Sequence, residues 1–173
     1  MNETPKSTLK SKAPTNKTFT FTVENLARYE EYLTRYDDVE SALLPTLHLA
    51  QEQNGWLPDH VVSYISQLMN IPDIKIKEVI SFYDMFYDVP VGRNIVHVCT
   101  NIACSMFGGR EIYQGLLKHF DSEYLVPTRD HRISIQKMEC LGACEIAPCM
   151  RMNNDYVGNL DLTTAIQKLE ELP

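Results

Sequence analysis

The sequence predicts an α/β protein in two parts, a small helical bundle over residues 19–90 followed by an α/β domain over 91–173. Apolar residues recur at helical spacing four times before Pro90-Val91-Gly92, and alternating strand-like runs begin only after it. Charge divides the chain at the same place. Residues 19–90 hold twelve acids against four bases and residues 91–173 hold ten against eight, within a net charge of -7. Hydrophobic residues make up 44% of the 173, enough to close a core.

Residues 1–18, MNETPKSTLKSKAPTNKT, contain four Lys, one Glu and almost nothing apolar, so a flexible tail is expected. A mitochondrial transit peptide would favour Arg, which this stretch lacks. In VENLARYEEYLTRY, Leu26, Tyr29, Leu33 and Tyr36 fall on one helical face. ESALLPTLHLAQEQNG supplies Leu43, Leu44, Leu47 and Ala50, tolerates Pro45 near its start and ends at Gly55. Pro58 and Asp59 open a third helix with Val62, Ile65, Leu68 and Met69 on one face. A fourth runs from Asp73 through Ile76, Val79 and Ile80 into SFYDMF. Trp56, Phe82, Tyr83 and Phe86 are expected to belong to the core of this bundle, a partner-docking face being the alternative.

After Gly92 the period changes. NIVHVC alternates as a strand, and GGREIYQGLLKHF places Ile112, Leu116, Leu117 and Phe120 on a helix behind a glycine pair. RISIQKME alternates again, and CMRMN and YVGN flank the turn Asn153-Asn154-Asp155 as a hairpin. LTTAIQKLEEL closes the chain as a helix capped by Thr163 or Thr164, the latter with Gln167 as a weak capping box. Strand, helix, strand, hairpin and helix in this order suggest a small mixed sheet with helices packed on it, for which a thioredoxin-like arrangement is the compact solution.

Several function classes are excluded. No apolar run approaches the roughly 20 residues of a bilayer span, and the N-terminus has no signal-peptide core. A soluble cytoplasmic protein is therefore expected, or one tied to a membrane assembly only through other subunits. Acidity argues against a nucleic-acid partner. No GxGxxG follows a strand, so no dinucleotide site is expected in this chain, and Gly108-Gly109 alone is a weak signal.

Five cysteines remain to be explained. An odd count in a reducing compartment argues for metal or thiol chemistry rather than a disulfide framework. Cys99 is expected to end a strand, Cys104 to lie in the loop before a helix, Cys140 to end another strand, and Cys144 and Cys149 to follow in the next loop. Four residues separate Cys99 from Cys104, three separate Cys140 from Cys144, and 35 lie between the pairs. If the two strands are near neighbours, about 5 Å apart, four sulfurs converge at one sheet edge. Zinc commonly takes the tighter C-x-x-C on at least one side, whereas wider loops suit a two-iron cluster. Gly108, Gly109 and Gly142 would let backbone N–H groups approach a negative cluster, and a helix starting near Gly109 would add its positive end. Spacing alone leaves a [2Fe-2S] cluster, zinc and unliganded thiols all open. Thiol redox catalysis lacks its C-x-x-C, a Rieske-type site lacks a second Cys-His pair, and His97 reads as structural.

CTNIAC with 35 residues to CLGAC, then AP and the polar hairpin NNDYVGNL, resembles the thioredoxin-like [2Fe-2S] subunit of NADH:quinone oxidoreductase, respiratory complex I, called the E subunit in bacteria. SALLPTLHLAQEQNGWLP, SFYDMF and PVGRNIVHVCT are similar to that family's helical N-terminal part and its junction, so the likeness runs from about residue 24 to the end. The resemblance implies that Cys99, Cys104, Cys140 and Cys144 ligate the cluster. It also implies that FMN and NADH reside on a partner flavoprotein, which passes single electrons to this chain within a complex peripheral to the inner membrane. Related diaphorase subunits of NAD(P)-linked hydrogenases and formate dehydrogenases share these motifs; a stand-alone ferredoxin and a zinc-stabilised interaction module are the remaining alternatives. Cys149 stands where the family has an apolar residue, and a buried small hydrophobe is its expected role, with substitution for a lost Cys144 as the other. The net charge of -8 over 19–90, together with SFYDMF, leads us to expect that the helical half touches the flavoprotein.

Overall fold

Four amphipathic helices open the computed structural model, which describes residues 18–173. The tail expected over 1–18 therefore lies outside the described residues except for Thr18. Helix α1 (Val23–Arg35) begins where the Thr22 hydroxyl accepts a hydrogen bond from the Asn25 amide, 3.2 Å away, satisfying one of the donors a helix start leaves free. It buries Tyr29, whereas Leu26 stays exposed and Tyr36 lies past the helix end in extended backbone. Helix α2 (Leu43–Asn54) stops at Gly55, whose φ of 87° belongs to the left-handed region that glycine enters without strain. Helices α3 (Asp59–Met69) and α4 (Asp73–Phe82) follow Pro58 and Pro72.

Leu47, Ile65 and Ile76 are completely buried at the centre of this half. Phe19 and Phe21 fix the entering chain by meeting Tyr64 of α3 edge-to-face, with centroids 5.3 and 5.5 Å away. The expected aromatic core is only partly realised. Phe86 is buried and Tyr83 half-buried, but Phe82 at the end of α4 is 78% exposed because, two residues after Ile80, it lies off the face that buries Ile76 and Ile80.

The sheet half contains β1 (Asn94–Cys99), α5 (Ile102–Met106), α6 (Gly109–His119), β2 (Ile133–Met138), β3 (Met150–Met152), β4 (Asp155–Val157) and α7 (Leu162–Glu170). Its strands are ordered β2-β1-β3-β4. β1 runs parallel to β2 with Cys99 opposite Met138, and antiparallel to β3 with Val98 opposite Met150. Val96, Val98, Ile133, Ile135 and Met150 meet Leu116 of α6 and Leu169 of α7 in one apolar cluster. His97 lies between Gln136 and Arg151 across the strands, and the Tyr87 hydroxyl is 3.3 Å from its Nε2. Tyr87 also accepts at its carbonyl from the Leu57 amide, at 2.7 Å, and so ties the helical half to the sheet.

Three local expectations change. The terminal helix is capped by Asp161, whose carboxylate accepts from the Thr164 amide at 2.7 Å, rather than by Thr163 or Thr164 with Gln167. An aspartate one residue before the first helical position is as good a cap as threonine, and its place fits the start of the helix. The hairpin turn is Asn153-Asn154, with Asp155 already in β4 and Asn153 in the left-handed region at φ 52°. The segment carrying Cys104, expected as a loop, forms α5, with the Asn101 side chain accepting from the Ile102 amide.

Candidate metal centre

Parallel pairing fixes where the cysteines meet. Because β1 and β2 run the same way, their carboxyl ends share one sheet edge, where α/β sheets commonly bind ligands. Cys99 is the last residue of β1, and Cys104 returns to it on α5. Cys140 lies two residues beyond β2, and Cys144 opens a single 3-10 turn. Cys149 immediately precedes β3 and offers its carbonyl to the Cys99 amide at 3.1 Å.

The five thiols divide by exposure. Cys99, Cys104 and Cys149 are buried, and their sulfurs lie within 4.8 Å of one another. Cys104 Sγ and Cys149 Sγ are 3.7 Å apart. Cys140 and Cys144 are exposed on the flanking loop, outside that group of three. Of the four residues expected to act together, the structure thus brings Cys99 and Cys104 together and places Cys140 and Cys144 on the loop that follows the neighbouring strand. Cys149 is the residue whose place the sequence left least visible. The signal available for it was the hairpin turn, which sends β3 back beside β1 and so carries Cys149 to the end of that strand.

Backbone approaches the sulfurs closely at two glycines. The Gly142 amide donates to Cys140 Sγ at 3.4 Å, as expected of a loop that accommodates negative sulfur. Helix α6 starts at Gly109, as expected. A Cβ there would stand 2.7 Å from the Cys99 carbonyl oxygen and 2.9 Å from that of Cys104, so the bare backbone lets the start of α6 lie against the cysteine-bearing strand end.

The buried thiols differ in acidity. Burial raises the Cys99 pKa, but hydrogen bonds from the backbone at Asn101 and Leu141 and from the neighbouring thiols outweigh it, and the net direction is downward. Burial pushes Cys104 upward, and pushes Cys149 up to about 12, with Cys104 and Cys99 beside it adding to the rise. Of the three buried thiols, Cys99 is the one most ready to serve as a thiolate, the form that binds metal.

The group of three contains neither histidine nor carboxylate. A donor set of sulfur alone fits iron-sulfur chemistry, and the flanking loop with its two exposed thiols supplies more of the same donor. Around the site, α5 and the residue after it leave Ile102, Met106 and Phe107 more than 60% exposed, at 76%, 79% and 67%. Their sequence carries no signal for this, because a helix of five residues is too short for a periodic pattern.

The chain is similar to known proteins over most of its length. The thioredoxin-like [2Fe-2S] ferredoxin family matches residues 29–173. The NADH-quinone oxidoreductase E subunit of Rickettsia bellii is 37% identical over 145 residues, covering 82% of this chain and 87% of the relative. The mitochondrial NADH dehydrogenase [ubiquinone] flavoprotein 2 of Dictyostelium discoideum is 36% identical over 157 residues, covering 89% of this chain and 64% of the relative. An NAD+-reducing [NiFe]-hydrogenase in its air-oxidised state shares the fold with a TM-score of 0.63 and 21% identity, over 72% of this chain and 22% of that one. The cofactor is accordingly a [2Fe-2S] cluster. The chain belongs to the thioredoxin-like [2Fe-2S] ferredoxin family, alongside the E subunits of NADH-quinone oxidoreductase.

Proposed function

We propose that this chain is the electron-transfer subunit of an NADH:quinone oxidoreductase, receiving single electrons from the FMN of a partner subunit that oxidises NADH. The observation that carries this reading is the delivery of cysteines by two adjacent parallel strands to one sheet edge, in a chain about 36% identical over most of its length to E subunits of NADH-quinone oxidoreductase. In this reading Cys99, Cys104, Cys140 and Cys144 are the four ligands. The bound cluster supplies one-electron storage between a two-electron donor and the next acceptor. The chain's own contribution is placement and tuning. Buried Cys99 and Cys104 keep one side of the site dry, while the Gly142 N–H stabilises negative charge on the Cys140 sulfur.

Residues 19–90 and 91–173 act as two domains in this reading, the first serving as a docking element. Exposed apolar side chains on the helical half, Phe82 and Met85, support that role. Phe82→Ser should weaken co-purification with the flavoprotein several-fold and leave the cluster intact; unchanged recovery removes this face from the interface. No helix among the described residues is long and apolar enough to cross a membrane, and attachment to the inner membrane runs through the rest of the complex in this proposal.

Anaerobic EPR tests the function. Dithionite should reduce the cluster of the isolated chain, NADH alone should not, and NADH with the FMN-bearing partner should. Rapid reduction by NADH in the partner-free protein would refute the relay reading and require a nucleotide site in this chain.

A further inference from the structure

Cys149 lies outside the four proposed ligands, yet its position is among the most constrained at the site. Its carbonyl is bound by the Cys99 amide at 3.1 Å, and the next residue, Met150, pairs with Val98 of β1. The residue is thus clamped to the strand that delivers Cys99. Only 1% of it is exposed, and its cluster neighbours besides Cys99 and Cys104 are apolar: Leu141, Ala143, Ile146 and Ala147. Its sulfur lies 3.7 Å from Cys104 Sγ in hydrogen-bond geometry, with Cys99 Sγ also within 4.8 Å.

A small hydrophobe would fill such a pocket equally well. What cysteine adds is a weak S–H donor, and a donor enclosed by apolar side chains turns to the acceptor within reach. We propose that the Cys149 S–H donates to the sulfur of Cys104 and thereby raises the reduction potential of the cluster. The inference rests on the four-ligand reading, in which Cys104 carries negative charge. A hydrogen bond to a charged acceptor is stronger than one between neutral groups, and low local dielectric strengthens it further. The reduced site carries one more negative charge than the oxidised site, so a donor aimed at a ligand sulfur stabilises the reduced form more. Cys149 is a positioning residue here: it touches a ligand sulfur and tunes the site without holding the metal.

The test is an EPR-monitored redox titration of the full-length, cluster-loaded chain and three variants. Cys149→Val fills the pocket without a donor, Cys149→Ala removes both volume and donor, and Cys149→Ser restores a hydroxyl donor. The expected result is an intact cluster in all three, with Val and Ala shifted to lower potential than the native chain and Ser lying above both. Native potentials in Val and Ala would overturn the inference while sparing the four-ligand reading, leaving Cys149 a packing residue. Ser grouped with lowered Val and Ala would also overturn it, since the shift would not follow donation. Loss of the cluster in Val and Ala would overturn both, by making Cys149 a ligand.

Discussion

Around Leu47, Ile65 and Ile76 the first half of the chain packs helix against helix, and its buried positions are apolar almost throughout. Around Leu116, Ile135 and Met150 the second half closes a comparable core of helices on a sheet, then gathers sulfur at its edge. The difference follows from what each architecture fixes. Parallel strands end at a common edge in a set register, so residues distant in sequence arrive side by side; Cys99 and the Cys140 loop are placed in this way. A bundle of short helices offers faces rather than ends, and here its face leaves Phe82 and Met85 uncovered. The sulfur donors and the uncovered apolar face of the bundle thus separate along the chain, with Tyr87 and His97 among the contacts between the two halves.

The comparison breaks most readily in the two cores. Leu47→Ala and Leu116→Ala each remove a completely buried side chain and should each cost about 2–5 kcal/mol of stability. Denaturant titrations followed by far-UV dichroism and by visible absorption separate them: Leu116→Ala should advance the loss of visible absorption, and Leu47→Ala should do so less. Equal effects on the visible signal would show that the halves unfold as one unit.

At the junction the expected effect is smaller and depends on pH. Burial, with Arg151 adding and Asp84 opposing, lowers the His97 pKa from 6.5 to about 4. Between those values the unfolded chain takes up a proton that the folded chain does not, so stability falls as pH is lowered through the window and the loss is complete below the folded value. His97→Gln should flatten that part of the stability curve; an unchanged slope would assign it to other groups.

The smallest effect is local to the sheet half. Asp161→Ala removes the cap of α7 and should cost about 1 kcal/mol by thermal or denaturant unfolding, whereas Thr163→Ala should cost clearly less.

Much of this architecture was legible in the sequence because one physical pattern dominated each segment. Val62, Ile65 and Met69 bury where helical spacing put them, and NIVHVC and ISIQKM alternate and pair as strands. The less legible features arise from competition between patterns. Asp161 and the two threonines are chemically similar caps, and only the start of α7 decides among them. Phe82 follows Ile80 by two residues, which on a helix of 3.6 residues per turn puts it off the face that buries Ile76 and Ile80. At the site, spacing brought the cysteine pairs to adjacent strand ends, but not the depth of each thiol. Depth depends on the return of β3 beside β1, which buries Cys149 with Cys99 and Cys104 and leaves Cys140 and Cys144 exposed.

The central claim is that the exposed loop thiols complete a site begun by buried ones, and iron and acid-labile sulfide analysis of anaerobically purified single variants tests it most directly. Cys99→Ala, Cys104→Ala, Cys140→Ala and Cys144→Ala should each lose most of both elements, together with the visible absorption, whereas Cys149→Ala should retain them. Full iron and sulfide in Cys140→Ala and Cys144→Ala, with loss in Cys149→Ala, would contradict the account and move the ligands into the buried group of three.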